Sequence, residues 1–114
     1  MSGLKFIAGA VLTVSLAFPA AGALALDAKG GGVTATAPYG GKPGVISVYD
    51  GSDDGDSGKA EYYRQTTAGT KRTLWNHSGY KTRATSADGS KIIKFQACDD
   101  NDWAPDDCSG WKAP

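Results

Sequence analysis

After residue 45 the chain is punctuated by turn-forming residues roughly every eight to twelve positions, a spacing that leaves room for strands and little else. Asp50 to Gly58, Thr67-Ala68-Gly69, Asn76-His77-Ser78-Gly79 and Asp88-Gly89 are the interruptions. The runs between them, Val45–Tyr49, Ala60–Thr66, Lys71–Trp75, Tyr80–Ala87 and Lys91–Cys98, are rich in β-branched and aromatic residues. None repeats apolar residues at helical spacing over a helix-length window. The expected fold is all-β, a small antiparallel sandwich or barrel of about five strands. Alternation puts Tyr62 and Tyr63 on opposite faces, and it groups Ile93, Phe95 and Ala97 on the core side against Ile92, Lys94, Gln96 and Cys98 on the other. Asp88-Gly89 has the chemistry of a type I′ hairpin turn, because both central residues must take positive φ.

The N-terminal part reads differently. Lys5 is followed by an apolar run from Phe6 to Phe18 and then by small residues ending in Ala23-Leu24-Ala25. That is the layout of a secretory signal peptide cleaved after Ala25. A retained anchor would need about 20 apolar residues, so no membrane association is expected after cleavage. Residues 26–44, LDAKGGGVTATAPYGGKPG, are expected to be a flexible Gly/Ala/Pro-rich leader, in which Val33–Thr36 is at most a short edge strand. The domain is expected over 45–114.

Such a domain has little core and gains from a covalent staple. The chain has two cysteines, Cys98 and Cys108, both beyond the signal segment. In an exported protein they are expected to pair, closing a short loop worth about 2 to 3 kcal/mol in the chain-entropy model. Net charge is zero for the whole chain. There is no basic stripe, which argues against a nucleic-acid partner.

The acids collect in two places. In the first, Asp50, Ser52, Asp54, Gly55, Asp56 and Glu61 occupy positions 1, 3, 5, 6, 7 and 12 of a calcium-loop spacing. Asp50, Ser52, Asp54, Asp56 and Glu61 are therefore the candidate metal ligands, with calcium as the cofactor they would suit. Ser57 at the usually apolar position 8 and the strand-like flanks depart from an EF-hand, and a solvated Asp/Gly loop is the plainer reading. The stretch Asp53–Ser57 also resembles the calcium stretch of βγ-crystallin domains, with Gly58 where that pattern has a serine. The second group, Asp99, Asp100, Asn101, Asp102, Asp106 and Asp107, falls inside the expected disulfide loop and has no regular ligand spacing.

Catalysis has few parts to work with, because the chain beyond the signal segment has one histidine, His77, and one glutamate, Glu61. A hydrolase or ribonuclease reading would pair Glu61 and His77 as base and acid beside Arg64, Arg72 or Arg83. No catalytic residue is assigned on this basis. Tyr49, Tyr62, Tyr63, Trp75 and Tyr80 suit either an exposed aromatic platform or, more simply, core and cross-strand pairs.

The segments LWNHSGY, KIIKFQACDD and PDDCSGW, together with the signal layout, resemble small secreted proteins of actinobacteria of unknown function. The resemblance covers about the last half of the chain and implies secretion and a single β-rich domain. The sequence thus predicts a secreted, non-enzymatic binding module whose partner is an extracellular protein or a cell-envelope component. The alternatives are a calcium-stabilised β domain, an inhibitor of an extracellular hydrolase, and the small hydrolase built on Glu61 and His77.

Overall fold

The computed structural model describes residues 24–114, so the expected signal peptide lies outside the described residues except for its last two positions. The described chain is all-β. Its strands are β1 (Leu26–Gly30), β2 (Val33–Ala37), β3 (Ser47–Asp50), β4 (Gly58–Arg64), β5 (Thr67–Asn76), β6 (Arg83–Thr85), β7 (Ile92–Asp99) and β8 (Asp107–Cys108). The described residues form eight strands, not about five. They form two four-stranded antiparallel sheets, ordered β1-β2-β3-β6 and β5-β4-β7-β8. No helix among the described residues is long and apolar enough to cross a membrane.

The stretch expected as a flexible leader is the first hairpin of the sandwich. β1 and β2 pair along their whole length, from Leu26 opposite Ala37 to Gly30 opposite Val33. Their two-residue turn is Gly31-Gly32, with φ of 59° and 85°, the double positive φ of a type I′ hairpin. In Val33-Thr34-Ala35-Thr36-Ala37 the Val and Ala side chains are buried and the threonines are half-buried, the alternation of a strand with one covered face. Composition concealed this because the inward residues are small. Ala28, Ala35, Ala37, Ala60 and Ala97 are fully buried, and the larger Phe95, Ile46, Val48, Val33 and Ile92 fill the core between the two sheets.

Three further expectations are corrected. Ile92, not Ile93, is buried with Phe95 and Ala97. Tyr63 pairs with Lys94 while Arg64 pairs with Ile92, so Ile93 is the extra residue of a bulge and the alternation shifts by one there. Asp88-Gly89 is not a hairpin turn either. β6 pairs with β3 in one sheet and β7 with β4 in the other, so residues 86–91 cross between sheets. Arg64 holds that crossover: its guanidinium donates to the carbonyls of Gly44 and Ser90, both at 2.8 Å, and of Ala87 at 3.1 Å. The β4–β5 hairpin turns at Gln65-Thr66, and Thr67 to Gly69, expected as the turn, begin β5.

Cys98 and Cys108 are joined by a disulfide and face each other across β7 and β8. The chain then runs on beside β7, with Lys112 and Phe95 exchanging both backbone hydrogen bonds at 2.8 Å. The disulfide thus anchors the C-terminal segment to the sheet and closes the loop that carries the second acidic group.

Candidate functional site

The two acidic groups, more than 40 residues apart in sequence, meet at one end of the sandwich. β4 begins at Gly58 opposite Asp99, the last residue of β7, so the loop entering β4 and the loop leaving β7 lie side by side. The Asp100 N–H donates to the Ser57 carbonyl at 2.9 Å and ties them together. Asp54, Asp56 and Asp99 each offer a carboxylate oxygen, all within 4.8 Å of one another. A cleft of about 570 Å³ opens beside them, lined by Asp54, Asp56, Asn101, Asp102, Trp103 and Ala104.

Local turns fix the first loop. Asp50 is buried and its Oδ1 accepts from the Ser52 N–H at 3.0 Å. Asp54 accepts from the Ser52 hydroxyl at 3.0 Å and from the Asp56 N–H at 2.9 Å. Asp99 is held differently. It is only 5 % exposed, and its Oδ1 has no hydrogen-bond partner. The β1–β2 turn covers it closely, since a Cβ on Gly31 would lie 2.5 Å from the Asp99 Cβ. Close approach and positive φ both demand glycine at that position.

This environment separates the carboxylates. The Asp56 N–H holds Asp54 below the ordinary carboxylate value, with further hydrogen bonds from Asp99 and Ser52. Burial, contact with Asp54 and repulsion from Asp54, Asp56 and Asp50 push Asp99 up to about 7. Asp56 is also raised, by desolvation and by the charges of Asp54, Asp102, Asp100 and Asp50.

The other candidates go elsewhere. Of the five ligands expected from spacing, Asp54 and Asp56 join the group with Asp99, and Asp50 and Ser52 brace the loop behind them. Glu61 is held on β4 by Gln96 Nε2 at 2.8 Å, by Lys71 at 3.5 Å and by Lys59 at 3.6 Å. It lies three residues beyond Gly58, roughly 10 Å along the strand. The calcium-loop spacing therefore does not close as a twelve-residue ligand set. It is Asp99, not Glu61, that lies with Asp54 and Asp56, and no local spacing signalled it because strand pairing brings it there.

His77 stands apart from Glu61 as well. Its Nδ1 is 2.7 Å from the Ser57 hydroxyl, and its ring stacks on Trp75 with centroids 4.9 Å apart. Arg64 is committed to the crossover carbonyls, and the Arg83 guanidinium lies over the rings of Tyr39 and Tyr49. The aromatics form no single platform: Tyr62 is in the core, whereas Tyr63 packs on Trp111 with Lys94 against both rings. Trp103, by contrast, is 99 % exposed at the tip of the disulfide-closed loop. Compared with protein-family models, curated proteins and solved structures, the chain matches none.

Proposed function

We propose that the chain is an exported, non-enzymatic binding module that holds a basic extracellular protein at its acidic end, with Trp103 as the anchor. Support for export is the signal layout ending in Ala23-Leu24-Ala25, together with a disulfide of the kind that persists in oxidising compartments. A non-catalytic reading is supported by Glu61 and His77, whose side chains are engaged with different partners.

The exposure of Trp103 carries the proposal. Trp is the residue type most enriched among interface hot spots, and here it stands free on a loop that is already ordered. The disulfide closes that loop, the Asp100–Ser57 hydrogen bond braces its start, Asn101 Nδ2 donates to the Pro105 carbonyl at 3.2 Å, and Lys59 pairs with Asp106 at 2.7 Å. A prearranged loop loses less entropy on docking. The surrounding carboxylates favour a basic partner and would speed its approach at low salt.

The test is surface plasmon resonance against a panel of basic secreted proteins, with lysozyme first. Trp103→Ala should weaken binding about tenfold or more while leaving the melting curve unchanged. Undiminished binding by Trp103→Ala, or no binding across the panel, would remove the reading. Retention on purified cell-wall material alone would transfer it to an envelope component.

A further inference from the structure

We propose that Asp54, Asp56 and Asp99 form a calcium site that bridges the two acidic loops. The site is independent of any macromolecular partner and differs from the twelve-residue spacing in its ligands and in its topology.

Asp99 is the buried member of the group. A carboxylate taken out of water keeps its charge only if donors or a cation compensate for the lost hydration. Asp99 is 95 % buried by the β1–β2 turn and the strands around it, and its Oδ1 finds no donor. The groups that face it are themselves acids, Asp54 and Asp56, with Asp50 behind them. The fold has thus spent core space, and a turn in which Gly31 is obligatory, on holding a carboxylate against two others.

A cation between them answers all three carboxylates at once. Ligand oxygens on opposite sides of a calcium are about 4.6–5.2 Å apart, twice the usual calcium–oxygen distance, so a mutual spacing within 4.8 Å places the three carboxylates in range to share one ion in place of the Asp54–Asp99 contact. The donors are all oxygens, which suits a hard cation and not zinc or copper. Asp54 retains lone-pair capacity beyond the Asp56 N–H, the Ser52 hydroxyl and its contact with Asp99, which the ion would replace. Three carboxylates supply up to six oxygens, and Asn101 and Asp102 line the same cleft alongside solvent. Because one ligand comes from β7 and two come from the loop before β4, binding would fasten the loops together and steady the base of the Trp103 loop.

The experiment uses the disulfide-bonded chain with calcium chloride or a chelator. Extracellular calcium modules bind at about 10⁻⁴–10⁻³ M, so 10 mM calcium should raise the melting temperature by about 5–15 °C. Terbium should luminesce on excitation of Trp103 and be displaced by calcium. Asp99→Asn should abolish both responses yet melt in chelator no lower than the wild type, which separates lost binding from lost folding. Asp56→Asn, at a less buried position, serves if Asp99→Asn does not fold and should weaken calcium binding at least tenfold. Glu61→Gln should keep the full calcium shift. An unchanged wild-type melt with no terbium signal, an undiminished response in Asp99→Asn, or loss of the response in Glu61→Gln would each overturn the site.

Discussion

The β4–β7 strand pair buries one ionic side chain near each end, and the two ends treat that charge in opposite ways. Arg64, opposite Ile92, has its guanidinium filled by three backbone carbonyls. Asp99, opposite Gly58 and roughly 20 Å away along the strands, has an oxygen without a donor and acids for neighbours. The difference follows from what a loop can supply. A crossover offers carbonyls freely, because its backbone is not paired in a sheet, so a buried cation is easily satisfied. A buried carboxylate needs N–H groups, and at the acidic end the nearby ones are taken: Ser52 N–H by Asp50, Asp56 N–H by Asp54. One end is closed by the chain's own atoms, and the other leaves a buried carboxylate oxygen without a donor.

The largest effect is expected at Arg64. Arg64→Met should lower stability by about 3–5 kcal/mol in urea denaturation, because three carbonyls lose their donor and the crossover its tie. A loss under about 1 kcal/mol would mean that packing alone holds that end. In chelator the change at Asp99 should have the opposite sign: Asp99→Asn removes an uncompensated charge and should raise stability by about 1 kcal/mol. A marked loss would mean that the Asp99 carboxylate has a donor in solution.

The smallest effect sharpens the contrast within the acidic end. There Asp106 is paired, its carboxyl held below the ordinary value of 3.8 chiefly by the hydrogen bond from Lys59. A depressed folded value means stability that is present above 3.8 and lost as pH falls through the lower folded value. Melting temperature should therefore fall as pH drops below 3.8, after the raised Asp99 and Asp56 have protonated, and Lys59→Met should flatten that fall. At neutral pH the variant should cost only about 0.5–1 kcal/mol, since Asp106 is partly solvated.

How much could be read in advance depended on whether the signal was local. The strand-like run at Lys91–Cys98, the opposite facing of Tyr62 and Tyr63, and the pairing of Cys98 with Cys108 follow from residue type, alternation and spacing, and they hold in the fold. The role of 26–44 was missed because glycine and alanine look like linker by composition, whereas Ala28, Ala35 and Ala37 bury well once Phe95 and Ile46 pack nearby. The Ile92 side was missed because a bulge is invisible to strict alternation. The Asp88-Gly89 hairpin failed because β6 and β7 pair in different sheets, with the crossover between them held by Arg64 through the Ala87 and Ser90 carbonyls.

The candidate site shows the same division. Sequence named Asp54 and Asp56 because turn-rich acids stand out within one loop, and it named Glu61 because a twelve-residue spacing was the pattern available. Strand registry and the Asp100–Ser57 hydrogen bond carried Asp99 to Asp54, and the β1–β2 turn helped shut it from water.

By itself, then, the sequence determined the fold class and the cystine, since strand propensity, turn chemistry and loop closure act over short stretches of chain. The tertiary structure decided which alanines became core, which isoleucine faced inward and which carboxylates met. Those outcomes depend on surfaces contributed by distant segments, and burial and electrostatic repulsion take effect only where folding has brought such segments together.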